Sequence, residues 1–444
     1  MRRCDMARGK KAAKALTLEE KLEQALVPEE EQPYAIPENW CWTYTPILFD
    51  IEYGKGLSTK QLTEEGYPVF GANGQIGYYD KYMFEKPRAV MSCRGAYSGI
   101  MHKTLPYSFV TSNSLIMNCN KIDMTPSYIC YMFSALDTSR LVTGTAQPQV
   151  TIQAFSEYPI PLIPLAEQQR IVTRIENLFT KLDEAKEKAQ SVIDGFELRK
   201  SAILHKAFTG ELTEQWRKEH GMGVDSWKRL SIASICSSLK YGTAKKSEKS
   251  GSVVVIRMGN LQDGEIDWSD LVYSNDKNDI EKYHLDIGDV LFNRTNSAAL
   301  VGKTSIYRGE YPAIYAGYLI KLDYNHDIII GDFLNYALNT NNAKEYCNSV
   351  KTDGVNQSNI NAKKIGAYIL SVPTIEEQKQ IVYILDNLLA SEHQAKQAAE
   401  SVLAQIDTMK KAILARAFRG ELGTNNPSDE NAIELLKKVL AEKN

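Results

Sequence analysis

Two stretches of the chain repeat the same seven-residue rhythm of apolar and polar positions. In the first, apolar side chains step by four and three through Ile171, Ile175, Leu178, Leu182, Ala185, Ala189, Val192, Phe196 and Ile203, interrupted only by Arg199. In the second they step through Ile381, Leu385, Leu388, Ala395, Ala399, Val402, Ile406, Met409 and Ile413, interrupted only by Glu392. A narrow seam between charged flanks predicts a helix that pairs with another helix. Each stretch is long enough for a helix of about 42 residues, roughly 60 Å at about 1.5 Å per residue. Gly195, whose counterpart is Gln405, is a candidate kink in the first.

The two stretches are copies. EQQRIVTRIENL begins at Glu167 and EQKQIVYILDNL at Glu377, an offset of 210 that holds without a gap to KAFTGEL and RAFRGEL; 20 of those 46 positions are identical. The register reaches upstream, where Gly144 and Gln147 match Gly354 and Gln357.

The segments before each helix, 38–163 and 224–373, have another character. They are rich in Tyr, Gly and Asn, with short β-type runs such as YPVFG, RAVMSC, SVVVIRM and DVLFN. Each opens on a Trp (ENWCW, DSWKRL) and closes on an apolar, Pro-bearing run (PIPLIPL, ILSVP). They predict two α+β domains whose interiors do not align with each other in sequence. The expected organisation is a helical segment at 1–37, a domain at 38–163, a long helix and linker at 164–223, a second domain at 224–373, a second long helix at 374–422 and a helical tail at 423–444. A duplicated scaffold carrying unlike domains suits recognition of two different things at a fixed separation.

Charge alone does not announce nucleic acid: 52 Lys and Arg stand against 55 Asp and Glu, a net charge of −3. A DNA binder of this balance must gather its basic residues locally. The basic opening MRRCDMARGKKAAKAL is followed by no signal-like apolar run, and VVVI at 253–256 is far too short to cross a bilayer. A cytoplasmic, non-membrane protein is expected. Cys4, Cys41, Cys93, Cys119, Cys130, Cys236 and Cys347 form no CxxC, so free, buried or half-buried thiols are expected rather than a zinc site or disulfide framework.

No catalytic constellation is evident. HExxH is absent, His102, His205, His220, His284, His326 and His393 lack metal-ligand spacing, and no GxGxxG follows a strand. SAALVGKTS (297–305) echoes a phosphate loop at Gly302-Lys303-Thr304, but Ser297 stands where that loop needs its first Gly. No catalytic or metal-binding residue is therefore assigned.

The runs RMGNLQDGEID, LFNRTNSAALVGKT, GVNQSNINA and PTIEEQKQIV closely resemble type I restriction–modification specificity subunits. YPVFGANGQIGYYD and SCRGAYSGI resemble another style of that family's target-recognition domain. The resemblance covers nearly the whole chain. It implies two target-recognition domains separated by two long antiparallel coiled-coil helices, with a pseudo-two-fold internal repeat. It also implies a non-catalytic reader of an asymmetric, bipartite double-stranded DNA site. Two methyltransferase subunits would bind S-adenosylmethionine, and restriction/translocase subunits would use ATP, so no cofactor is expected on this chain. Two other readings stay open: a specificity module of another multi-subunit or type II-like methyltransferase system, and a coiled-coil adaptor that does not bind DNA.

Candidate DNA contacts follow from residue type and loop context. In the first domain they are Lys55, Asn73, Gln75, Tyr78, Arg94 and Tyr97, in Gly-rich loops. In the second they are Lys240, Tyr241, Lys245 and Lys246 of LKYGTAKKSEK (which also holds Lys249), then Arg257, Asn260, Arg294, Asn296 and Ser297 at strand–loop junctions. The alternative roles are solvated loops and satisfied turns; for Gln147 and Gln357 a shared structural role competes with DNA contact. At the ends, Thr17 and Glu20 predict a capping box. Ile433, Leu436, Val439 and Leu440 make an amphipathic tail helix, and the resemblance places the two termini near each other.

Overall fold

The computed structural model describes residues 16–144, 146–355 and 357–442. The basic opening segment and Cys4 lie outside the described residues. The chain divides into two compact units, one of residues 1–188 with 402–444, the other of residues 189–401.

In the first unit, a four-stranded antiparallel sheet runs in the order Asp50–Tyr53, Ser114–Asn118, Ala89–Ser92, Met101–Lys103. Beside it, Tyr67–Gly71 pairs antiparallel with Gly74–Tyr79 and parallel with Phe109–Val110. Cys41–Tyr44 and Pro159–Leu162 pair to close the domain. The second unit repeats this order with other residues: Cys236–Tyr241, Leu319–Tyr324, Val290–Asn293 and Thr304–Ile306 form the four-stranded sheet. Val253–Ile256 pairs antiparallel with Tyr273–Ser274 and parallel with Ala313–Tyr315, and Lys228–Ser231 pairs with Ile369–Val372. Two interiors that do not align as sequences thus share one strand order. The four apolar runs YPVFG, RAVMSC, SVVVIRM and DVLFN each supply a strand whose centre is buried.

The first long helix runs Leu165–Asp194 and resumes as Phe196–Phe208; the second is unbroken over Ile375–Ala417. The break falls at Gly195, as its lack of a Cβ allows: a Cβ there would sit 2.5 Å from Nη1 of Arg199. Arg199 folds back to donate to the Val192 carbonyl (2.9 Å) and to Glu392 (2.7 Å). The residues that interrupt the two apolar ladders therefore interrupt them together, as an ion pair. Phe196 also meets the His393 ring and the Lys396 ammonium. In the first unit, Lys410 lies over Phe179 (5.2 Å) and bonds Asp183 (2.6 Å). In the second unit, then, rising numbers on one helix meet falling numbers on the other.

The burial pattern follows the predicted seam in the first helix but corrects it in the second. Leu388 (38%) is exposed while Leu389 (7%) is buried. Likewise Lys396, Leu403 and Lys410 are half-buried where Ala395, Val402 and Met409 were expected, and these three are exposed. Ile381, Leu385, Ala399 and Ile406 are buried as read.

One device recurs at both helix starts. Glu167 is fully buried and accepts from the Trp40 indole (2.7 Å), Asn425 Nδ2 (2.9 Å) and Thr424 Oγ1 (3.2 Å). Glu377, also fully buried, accepts from the Trp227 indole (3.0 Å), Thr213 Oγ1 (2.7 Å) and Arg217 Nη1 (2.6 Å). Each carboxylate ties the opening Trp of its domain to the start of one long helix and to the residues that follow the other. A buried carboxylate is tolerated only when its oxygens are satisfied in this way.

The capping box at Thr17 and Glu20 forms as read, starting the helix Leu18–Ala25. That helix packs in the first unit against Ala432–Ala441, whose Leu435, Leu436, Val439 and Leu440 are buried; Ile433 is half-buried. Among the described residues six thiols are free, four of them buried. Burial pushes Cys41, Cys130 and Cys236 up to about 12.

Candidate nucleic-acid interface

A Tyr-Gly pair ends the first strand of each four-stranded sheet, at Tyr53-Gly54 and Tyr241-Gly242. Gly is required at both: an added Cβ would lie 2.3 Å from the Thr111 carbonyl oxygen at Gly54 and 2.1 Å from that of Tyr315 at Gly242. This close approach leads the chain into parallel bridges, Lys55 to Thr111 and Thr243 to Ala316. It leaves Tyr53 and Tyr241 exposed, at 42% and 41%. Tyr53 escaped sequence reasoning, although the match of EYGKG to KYGTA was the available signal.

In the first unit most candidates are free. Lys55, Asn73, Gln75, Tyr78, Arg94 and Tyr97 are all exposed, and among the described residues none has a side-chain hydrogen bond or ion pair. Asn73 and Gln75 flank Gly74, whose φ of +70° makes the tight hairpin. Tyr97 ends the short turn Gly95–Tyr97. Arg94 bridges to Gln149 through the backbone and lines a hollow of about 260 Å³ with Ala72, Asn113 and Gln147. A cluster of exposed rings lies elsewhere on this domain: Tyr82 sits 4.9 Å from Tyr67 and 5.3 Å from Tyr107. No periodic pattern in the sequence groups those three.

In the second unit most candidates are occupied. Lys240 pairs with Asp323 (3.1 Å), and Lys245 with Asp276 (2.7 Å) and Asp279 (3.5 Å). The Asp276 hydrogen bond holds the Lys245 ammonium above its ordinary range. Lys246 and Lys249 are exposed and, among the described residues, unpaired. The predicted lysine cluster is thus half neutralised. Arg257 pairs with Asp270 (2.8 Å). Asn260 is buried, accepts from Arg257 N and donates to the carbonyls of Asp267 and Asp270, so it holds a turn and is not available to DNA. Arg294 lies over the Tyr241 ring (4.7 Å) and reaches Gly317 O and Asn359 Oδ1. Asn296 accepts from the exposed Ser297. A hollow of about 320 Å³ is lined by Arg257, Gly259, Gln262, Asn296 and Lys303. The phosphate-loop echo does not form a cradle: Gly302 N and Val301 N donate to Asn293 O and Ser297 O, and Lys303 bonds Gln262.

Both domains thus present a hollow beside the turn that follows the first strand of the three-stranded sheet. Among the described residues no group of His, Cys, Asp or Glu could hold a metal ion, and no helix is long and apolar enough to cross a membrane.

The family model for the type I restriction modification DNA specificity domain matches residues 48–193 and again 225–401. The chain belongs to this family. It is 28% identical to the type I restriction enzyme EcoKI specificity subunit of Escherichia coli K12, over 92% of this chain and 96% of that one. It is 24% identical, with the same coverage, to the StySPI specificity subunit of Salmonella potsdam. Its fold resembles the crystal structure of the HsdS subunit from Thermoanaerobacter tengcongensis, with a TM-score of 0.60 at 17% identity, covering 88% of this chain and all of that one. It also resembles a chain from a study of type I system assembly and conformational transition, with a TM-score of 0.61 at 18% identity and the same coverage. The two matches of the specificity family each take in one domain together with the long-helix segment that follows it.

Proposed function

We propose that this chain is the non-catalytic DNA-reading subunit of a type I restriction–modification complex, each of its two domains binding one half of an asymmetric, bipartite duplex site. The observation that carries the reading is the repetition of one strand order under two unlike sets of exposed residues. A common framework keeps each reader in the same relation to its duplex, while different side chains select different base edges. The two long helices, which meet in opposite directions in the second unit, act as a pseudo-two-fold coiled-coil spacer. Two methyltransferase subunits carrying S-adenosylmethionine and ATP-driven restriction/translocase subunits supply the chemistry, in the cytoplasm.

The test is a domain exchange in cells that carry the partner subunits, read by mapping methylated bases across the genome. Replacing residues 38–163 by the corresponding domain of a relative should change one half-site and leave the other half-site and the gap unaltered. Matched four-residue insertions in both helices should lengthen the gap by about two base pairs, since each residue adds about 1.5 Å and a base pair spans about 3.4 Å. A domain exchange that alters both half-sites would refute the reading.

A further inference from the structure

Over the closing segment of each domain and the first residues of its long helix, the 210-residue register gives 23 aligned positions, 144–166 against 354–376. They coincide at only three: Gly144 with Gly354, Gln147 with Gln357, and Tyr158 with Tyr368. Two of the three have a reason inside the fold. The glycines open tight hairpins: Gly144 has φ +82°, a Cβ there would lie 2.8 Å from Gln147 O, and Gly354 N donates to Gln357 O (2.8 Å). The tyrosines pack into or against the two cores.

The glutamines have no such reason. Both are exposed, and among the described residues neither side chain has a hydrogen-bond partner. The turn uses only their backbone. Their neighbours, by contrast, are held: Pro148 O accepts from Gly95 N (2.9 Å) and Ser98 Oγ (3.0 Å). Ser358 bonds Asp353, and Asn359 bonds Thr295 (2.7 Å). In both units the hairpin's described residues thus hold out an amide that they do not themselves use, where 20 of the 23 aligned positions have diverged. In each unit the hairpin is pinned beside a candidate contact, Arg94 through its bridge to Gln149 and Arg294 through Asn359.

We propose that Gln147 and Gln357 make the same sequence-independent contact in each half-site, the side-chain amide donating to a phosphate of the duplex backbone. The inference rests on the DNA-reading function proposed above. Domains that read different bases have no common base edge to keep a residue for, but every half-site offers the same phosphates, and neutral amides are among their ordinary donors. Base selection then falls to the residues that differ, such as Asn73 and Gln75 in one domain and Gln262 and Ser297 in the other.

The test uses the full chain assembled with its methyltransferase subunits, as wild type, Gln147→Ala, Gln357→Ala and the double variant. Affinity is measured for a cognate duplex and for one with both half-sites scrambled, alongside thermal unfolding and the genomic methylation motif. Each single variant should weaken binding to both duplexes by the same factor, roughly two- to tenfold for one hydrogen bond. The double variant should multiply the two losses, and unfolding and motif should not change. A changed motif, or loss on the cognate duplex alone, would mean that the glutamines read bases and would overturn the proposal. So would unchanged DNA binding with weakened subunit assembly, which would make the hairpins a protein contact. Wild-type complex that does not prefer its cognate duplex would defeat the DNA-reading function itself; variants indistinguishable from a discriminating wild type would defeat only this inference.

Discussion

Replacing Arg217 by Met strands a carboxylate in the second unit. Glu377 is fully buried and Arg217 is 5% exposed; the guanidinium gives Nη1 to Glu377 (2.6 Å) and Thr213 (2.9 Å) and Nη2 to Gly210 O (2.6 Å). Met fills much of the same volume but returns none of these bonds. Glu377 keeps Thr213 and the Trp227 indole, two neutral donors, against the full cost of a buried negative charge. Breaking a buried pair from one side costs about 3–5 kcal/mol, which multiplies the population of the locally open form by roughly two to three and a half powers of ten. The double variant Arg217→Met with Glu377→Gln removes the charge as well and should recover most of the loss: the amide oxygen accepts from the Trp227 indole, and the amide NH2 donates to the Thr213 hydroxyl, which no longer receives Arg217. Hydrogen exchange read by mass spectrometry over residues 375–385 reports the opening directly, and does not require the 444-residue chain to unfold in one step. Unchanged protection in Arg217→Met, or a double variant no better protected than the single, would show that the ion pair does not hold this helix start.

Leu389→Ala should destabilise the second unit by about 2–5 kcal/mol in urea unfolding, while the exposed Leu388→Ala should cost under about 1; the reverse order would restore the seam read from sequence. Lys246→Ala should reduce the slope of log affinity against log salt by about one unit. Lys245→Ala, whose ammonium is committed to Asp276 and Asp279, should leave that slope nearly unaltered; equal changes would refute the distinction. Alkylation at pH 8 in the native state should spare Cys41, Cys130 and Cys236, because burial holds their thiols near 12 and leaves almost no thiolate. Rapid labelling of Cys41 or Cys130 would contradict their burial.

The long helices were legible because a 3.5-residue period repeated twice is hard to produce by chance. The slip to Leu388 arose where two apolar residues stand side by side, Leu388-Leu389 and Val402-Leu403. Hydrophobicity cannot choose between such neighbours, and the partner helix does. Arg199 and Glu392 looked like separate blemishes, since nothing in a linear pattern shows that two charges 193 positions apart face each other. The common strand order was invisible because pairing is non-local and tolerates any apolar residue of suitable size. Among the candidate contacts, residue type picked out side chains able to bind DNA. It could not tell Lys246 from Lys245 or Ser297 from Asn260, because that depends on which carboxylates and carbonyls the fold brings alongside.

The paired latches at Glu167 and Glu377 have a bearing on the order in which the chain is made. Unit two is a single run, 189–401, and every donor to Glu377 lies within it. It can finish folding as it leaves the ribosome. Unit one cannot: two of the donors to Glu167 are Thr424 and Asn425, and its core needs Leu414, Phe418 and Leu436. The domain synthesised first is therefore completed last. A chain cut short after residue 401 would carry a finished second reader beside a first reader with an open core and a Glu167 carboxylate left with the Trp40 indole alone of its three donors. Such a fragment would be a target for proteolysis at its N-terminal half, so truncated subunits would be removed before they assemble with one competent domain.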